Sequence, residues 1–164
     1  MIVLVRAITY AAVFVAVVLV FVPARVLSWS GIERPARLGV PEVAGIAVVA
    51  AGAALVLWCV LTFAFVGRGT PAPFDPPRRL VVRGPYRFVR NPMYIGAGLA
   101  LAGAALFYRS PSLLAYAALF WLVTHLFVVW YEEPVLRRTF GDAYDVYCRA
   151  VRRWWPATRG AGPA

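Results

Sequence analysis

The side chains of this chain that are equipped for chemistry fall in two stretches on either side of an apolar hairpin. The first stretch runs from Arg83 to Tyr94 and holds three arginines, two tyrosines, two prolines and Asn91. Gly84-Pro85 and Asn91-Pro92 predict two turns with fixed φ angles, so the loop keeps some backbone N–H and C=O groups in defined directions. Such a loop suits a polar, partly anionic ligand at a membrane surface.

The second stretch begins with two adjacent carboxylates, Glu132 and Glu133, at the predicted end of an apolar helix. A carboxylate is disfavoured there by the helix dipole and by lipid, so the pair serves either nearby arginines or a ligand. Adjacent residues on a helix point about 100° apart, so the two carboxylates are expected to have separate partners. His125, seven residues earlier, is predicted to lie on the same face, as an interhelical hydrogen-bonding residue or as part of the pocket.

The elements that must position these residues are membrane helices. The chain has 164 residues, of which 62% are hydrophobic and 15% charged, a composition typical of a polytopic membrane protein. All 17 basic residues are arginine, and they lie in short loops beside apolar runs, which indicates anionic lipid headgroups and not nucleic acid as their partner. Cys59 and Cys148 fit no metal-ligand spacing, so we expect two free thiols and no metal site.

The apolar runs predict an all-α integral membrane protein with about four transmembrane helices. We expect these spans at about residues 7–22, 42–66, 92–107 and 112–131, with the first retained and ended by Pro23. Small residues in the second and third spans predict close helix packing. The segment 109–111 predicts a tight turn, and we divide the chain into an N-terminal hairpin (1–66) and a C-terminal core (67–164).

Beyond the fourth span, apolar residues recur at helical spacing from Leu136 to Val151. They predict an amphipathic helix on the membrane surface, divided at Gly141, with Asp142 as the N-cap of its second part. Thirteen arginines fall on the side of the termini and the long polar loop, and four on the other side. This bias predicts that both termini and both chemically equipped stretches face the cytoplasm.

These motifs, in their order and spacing, resemble the isoprenylcysteine carboxyl methyltransferase family, which belongs with the related phospholipid methyltransferases. The resemblance covers about residues 78–156, and the first two spans carry no signal beyond hydrophobicity. It is carried by the stretch from Arg83 to Tyr94, by Glu132-Glu133, and by a set of C-terminal residues. That set is Phe140-Gly141, Tyr144, Tyr147 and Arg153-Trp154-Trp155-Pro156.

The resemblance implies an integral membrane methyltransferase that uses S-adenosylmethionine and acts on a membrane-embedded lipid or prenylated acceptor. It assigns cofactor binding to an extended run, to a tyrosine, to an Asn-Pro-Met-Tyr element and to a glutamate. In this sequence the positions are Arg78, Arg79, Leu80, Val81, Tyr86, Asn91, Pro92, Met93, Tyr94 and Glu132. A carboxylate acceptor needs no base, whereas an amine or phenol acceptor needs one, and His125 and Glu133 are then the candidates.

Two positions depart from the family pattern. Asn91 stands where the family usually has histidine, and Val128 stands where prenylcysteine enzymes carry an arginine for the substrate carboxylate. The second departure argues against a prenylcysteine acceptor more than against methyl transfer. Two alternatives stay open: an NADPH-dependent membrane lipid reductase, although such chains are much longer, and a non-catalytic membrane scaffold or lipid-binding protein.

Overall fold

The computed structural model describes Thr9, residues 12–63 and residues 80–156, and every regular element there is a helix. In chain order these are α1 (Ala12–Trp29), α2 (Val40–Thr62), α3 (Pro92–Phe107), α4 (Pro111–Phe140) and α5 (Asp142–Ala150). A 3₁₀ turn, Gly84–Arg87, precedes α3. The prediction of an all-helical membrane protein is confirmed. Three helices, α1, α2 and α4, are long and apolar enough to cross a membrane, and α3 is a shorter apolar helix.

Helix α1 passes through Pro23, so the prediction that this proline ends the first span, with a loop from Ala24, was wrong. A π-helical segment, Val15–Phe21, precedes it. There the N–H of Val22 donates to the carbonyl of Val17, five residues back. With the same spacing, the Val18 carbonyl would accept a hydrogen bond from residue 23, but Pro23 has no N–H to donate. The Tyr116 hydroxyl donates to that carbonyl instead, at 3.0 Å, so the helix continues.

Helix α4 likewise continues beyond the predicted end of the fourth span at Tyr131. Its π segment, Val128–Glu132, lies just before Pro134 and again widens the helix where the proline lacks an N–H. Since an i→i+5 turn takes an extra residue, Glu132 is rotated relative to His125 from the position that an unbroken α-helix would give. The two side chains also have different partners, Trp154 for His125 and Tyr94 for Glu132.

Close packing of α2 against α3 is confirmed by their glycines. A Cβ built on Gly45 would lie 2.7 Å from the carbonyl oxygen of Gly103, and a Cβ built on Gly96 would lie 2.8 Å from that of Gly52. The two glycines of each helix are seven residues apart, so the two antiparallel helices touch backbone to backbone at two levels. This contact fixes the position of α3, which carries part of the polar site.

At the opposite end of α3, the turn to α4 is as tight as predicted and is tied to the start of α2. The Arg109 guanidinium contacts the Glu42 carboxylate at 2.7 Å, and Glu42 also accepts from the N–H of Gly39 at 2.8 Å. Glu42 is almost fully buried. Ser110 caps α4 by accepting from the N–H of Leu113. This ion pair was not predicted from the sequence.

The C-terminal helix is divided at Gly141, as predicted, but Asp142 is not its N-cap. Gly141 holds that position with φ 53°, a left-handed conformation that favours glycine, and Asp142 begins α5. The apolar face of α5, formed by Tyr144, Tyr147 and Val151, packs against Leu80 of the preceding loop. That face is therefore covered by the protein's own chain.

Helix α3 is shorter than a typical membrane span. Its 16 residues span about 24 Å, less than the ~30 Å of the hydrocarbon core. It begins at Pro92, next to the polar loop, and ends at the tight hairpin. The predicted boundary between residues 66 and 67 lies outside the described residues and stays a prediction.

Candidate functional site

Tyr94 and Glu132 form the centre of the candidate site. Pro92 begins α3, so Tyr94 lies in its first turn, and Glu132 ends the π segment of α4. The Tyr94 hydroxyl donates to Glu132 Oε2 at 3.1 Å. Among residues 12–63 and 80–156, Tyr94 is the one hydrogen-bond donor to the Glu132 carboxylate. The structure thus brings together two of the residues that the sequence proposed for cofactor binding.

Tyr86 lies beside this pair, buried in the 3₁₀ turn. Its ring meets Phe63 edge-on at 5.1 Å, and its hydroxyl is hydrogen-bonded to the Cys59 thiol. Burial raises the pKa of Tyr86 well above its ordinary value, and the neighbouring Cys59 and Glu132 raise it further. The phenol therefore keeps its proton and acts as a neutral hydrogen-bonding group.

Gly84 places this turn. It has φ 59°, and a Cβ built there would lie 2.6 Å from the Thr62 hydroxyl oxygen. Only glycine combines the left-handed backbone with so close an approach to the end of α2. The turn that the sequence predicted at Gly84-Pro85 is therefore present, and it anchors Tyr86.

The extended run before the turn joins two apolar clusters. Val81 packs with Cys59, Tyr86 and Met93, whereas Leu80 packs against the apolar face of α5. Alternate side chains of an extended segment point to opposite sides, which is why two neighbours reach different clusters. Arg78 and Arg79, the other predicted members of this run, lie outside the described residues.

Glu133 has different partners from Glu132, as predicted. Arg153 donates to both of its carboxylate oxygens, at 2.7 and 2.9 Å, and Arg90 lies 3.3 Å away. Glu133 is buried, and this paired, bidentate arrangement stabilises its ionised form. Two bound guanidinium groups make it a poor proton acceptor. The interpretation of this carboxylate as a partner of nearby arginines is confirmed.

The segment 151–154, here called the C-terminal strap, crosses the loop before α3. Val89 and Arg152 form a parallel β-bridge, in which the N–H of Arg90 donates to the Arg152 carbonyl at 2.9 Å. Asn91 Nδ2 donates to the Arg153 carbonyl at 3.3 Å. Asn91 thus holds the strap and is not directed at the Tyr94–Glu132 pair.

Helix α5 fastens the same region from the other side. The Tyr147 hydroxyl donates to the Tyr86 carbonyl at 2.6 Å, and Arg90 also donates to the Cys148 thiol. Burial raises the pKa of Tyr147, so it remains a donor. The sequence pointed to Tyr147 by its spacing but not to Arg90. The available signal was that a carboxylate at the end of an apolar helix needs a counterion.

His125 lies apart from the Tyr94–Glu132 pair. Its side chain is exposed, and its Nδ1 accepts from the Trp154 indole N–H at 3.1 Å. The structure therefore joins His125 to the strap. Within the described part of the chain, no three His, Cys, Asp or Glu residues are grouped to hold a metal ion.

The loop 80–94, the end of α4 and the strap together form one polar assembly. Comparison with known proteins adds one match: the family model for phospholipid methyltransferase matches residues 40–143. No curated protein and no solved structure matches the chain. The family match begins at α2, earlier than the resemblance at residues 78–156 suggested, so the second span does carry a family signal. Because the match covers more than half of the 164 residues, the chain belongs to the phospholipid methyltransferase family.

Proposed function

We propose that this protein transfers a methyl group from S-adenosylmethionine to a lipid or lipid-like acceptor. The observation that carries the proposal is the Tyr94–Glu132 pair, in which the described residues donate to only one oxygen of the carboxylate. S-adenosylmethionine carries an ammonium group and ribose hydroxyls, which are the donors that such an oxygen accepts. The family match supports methyl transfer in general.

The residues around the pair suit the same cofactor. Glu132 would engage its ammonium group or ribose hydroxyls, with Tyr94 holding the carboxylate in place. Tyr86 and the Leu80–Val81 run would form the wall towards α2, and Arg78 and Arg79 would attract the cofactor's carboxylate. Asn91, Pro92 and Met93 would act by fixing Tyr94 and the strap. When bound, S-adenosylmethionine supplies a methyl group that its sulfonium already activates.

The chain's contribution to the reaction is alignment and exclusion of water. A donor and an acceptor that are held in line react far faster than the same groups free in solution. Glu133 is held by two arginines and His125 by Trp154, so we assign both to positioning and neither to proton transfer. A phospholipid amine would therefore lose its proton to water before it reaches the site, and its nitrogen would then bond to the methyl group as the bond from that methyl to sulfur breaks.

The acceptor is proposed to be a phospholipid and not a prenylcysteine. Val128, which stands where prenylcysteine enzymes carry an arginine, is fully buried in the π segment and offers no charge to a substrate carboxylate. The site is proposed to face the cytoplasm, on the arginine-rich side. Exposed arginines on this side would contact anionic headgroups; they include Arg83, Arg87, Arg149 and Arg152.

Calorimetric binding of S-adenosylmethionine and of NADPH to the purified protein in nanodiscs tests the proposal. We expect binding of the first and not of the second. Glu132→Gln should weaken it roughly ten- to a hundred-fold, as expected for one lost hydrogen bond to a charged group. Tyr94→Phe should weaken it less, and Tyr108→Phe, at the far end of α3, should change nothing. Preference for NADPH, or no binding of either cofactor, would refute the proposal.

A further inference from the structure

The strap ends on α4, away from the proposed cofactor site. Trp154 meets Trp121 in a T-shaped contact with ring centroids 5.1 Å apart, and its indole N–H donates to His125. The next residue, Trp155, is 75% exposed and makes no ring or hydrogen-bond contact with the described residues. Two adjacent tryptophans therefore have different environments, which indicates a specific role for the first.

The position of Trp154 is set by its neighbours. Arg153, immediately before it, is bound to Glu133 through its side chain and to Asn91 through its carbonyl. Trp121 lies against Gly98, where a Cβ would be 2.6 Å from the indole nitrogen. Gly98 is one helical turn after Tyr94 on α3. The indole of Trp154 therefore covers Trp121 where that side chain meets α3, one helical turn from Tyr94.

This side of α4 is largely apolar and exposed, as expected of a surface that faces lipid. Trp154 and Trp121 are half-buried, His125 is exposed, and the α4 segment around them is apolar. Histidine and tryptophan side chains with an unmet polar group are costly there, so their mutual hydrogen bond favours the closed position of the indole. The indole is held by one hydrogen bond and two ring contacts, with Trp121 and His125, whereas the strap behind it is held by a bidentate ion pair. It can therefore move while the strap stays attached.

We propose that Trp154, held by His125 and Trp121, is a positioning residue that closes the membrane side of the site and controls how a lipid headgroup enters between α3 and α4. The inference rests on the proposed function for its kinetic consequence. Its geometric consequence, that the Trp154 indole separates the Tyr94–Gly98 segment from lipid, is independent of methyl transfer.

Photolabelling tests the geometric consequence directly. The purified protein is placed in nanodiscs that contain a phosphatidylethanolamine with a diazirine near its headgroup, and labelled peptides are quantified. Trp154→Ala should raise labelling of the segment 92–98 about threefold or more, because the indole that separates this segment from lipid is absent. Labelling of Trp155→Ala should equal that of the wild type. Equal labelling of the wild type and Trp154→Ala would overturn the proposal.

Kinetics test the second consequence. With S-adenosylmethionine and phosphatidylethanolamine vesicles, Trp154→Ala should raise the lipid KM about fivefold or more and leave the dissociation constant of S-adenosylmethionine within about twofold. Trp154→Phe keeps an aromatic ring against Trp121 and loses the indole N–H, so its lipid KM should lie between those of the wild type and Trp154→Ala. This variant also serves as a control in case Trp154→Ala misfolds. An unchanged lipid KM, or an equal loss of cofactor affinity, would contradict the positioning role.

A wild-type protein that binds no S-adenosylmethionine would refute the proposed function. The photolabelling experiment would then decide the role of Trp154 alone, because it requires neither cofactor nor turnover.

Discussion

Replacing Glu133 by glutamine tests whether this carboxylate holds the site together. The change keeps the shape of the side chain and removes its charge, so two guanidinium groups then face a neutral amide. The Glu133 side chain is 7% exposed, that of Arg90 is 12% exposed and that of Arg153 is 29% exposed. Water can therefore rehydrate Arg153 in part but reaches Arg90 poorly.

The size of the effect follows from these exposures. Breaking a buried ion pair by removing one partner lowers the free energy of unfolding by about 3–5 kcal/mol. Because Arg153 is partly exposed, we expect a smaller decrease here, about 2–4 kcal/mol. For a chain of this length, that loss corresponds to a fall in melting temperature of roughly 5–15 °C. We expect cofactor affinity to fall as well, because the strap loses its anchor to α4.

Thermal unfolding in nanodiscs, followed by circular dichroism, measures the change. Arg137→Gln is the matched control: Arg137 and Asp145 form an ion pair with side chains that are 57% and 50% exposed, and such pairs contribute only about 0–1 kcal/mol. Adding Arg153→Gln to Glu133→Gln should cost less than the sum of the two single changes, since the two residues are in direct contact.

The alternative role gives a different result. If Glu133 were a general base, Glu133→Gln would keep the melting temperature and the cofactor affinity of the wild type and lose only methyl transfer. That outcome, or a melting temperature equal to that of Arg137→Gln, would refute the assignment of Glu133 to positioning.

Three further substitutions test the packing around the site by the same unfolding measurement. Gly52→Val should lower the free energy of unfolding by about 2 kcal/mol or more, because the valine side chain would clash with the α3 backbone. The control Ala53→Val, at an exposed position, should leave stability nearly unchanged. Equal values for the two variants would contradict the close approach of α2 and α3. Arg109→Ala should cost about 1–3 kcal/mol by leaving a buried carboxylate unpaired, and Arg37→Ala, an exposed arginine, should cost little. Tyr147→Phe should cost about 1–3 kcal/mol through the loss of its buried hydrogen bond, and an unchanged stability would show that α5 is not fastened there.

Local chemistry in the sequence predicted much of the fold. Pro92 marked the start of α3, small residues marked the close contact of α2 with α3, and the spacing from Leu136 to Val151 marked the apolar face of α5. Each of these features depends on residues that are near one another in the chain or on one helix face. Sequence patterns report such local requirements well.

The helix ends at prolines were predicted wrongly. A proline leaves one backbone carbonyl without its usual N–H donor, and the sequence alone does not show which other group donates to it. Before Pro23 the donor to the Val18 carbonyl is Tyr116, 98 residues beyond Val18, and a π segment adjusts the helix. A similar π segment precedes Pro134, and α4 continues beyond it to Phe140. A long-range hydrogen bond or a single added residue per turn leaves no periodic signal.

The site was predicted in part. The motif order brought Tyr94 and Glu132 to the same end of the molecule, and the structure joins them. The strap was visible only as a run of basic and aromatic residues, and its pairing with Val89, Arg90 and Asn91 spans about sixty positions. Such pairings depend on the fold of the whole chain, so one sequence does not determine them.

Transfer of a labelled methyl group tests the proposed activity most directly. Purified protein in nanodiscs is incubated with methyl-labelled S-adenosylmethionine and phosphatidylethanolamine vesicles, and the label in the lipid fraction is counted. We expect the wild type to label the lipid and Glu132→Gln to lose most of that transfer. Labelling of lipid by Glu132→Gln at the wild-type rate would contradict the site, and a wild type that binds S-adenosylmethionine but labels no lipid would contradict the proposed acceptor.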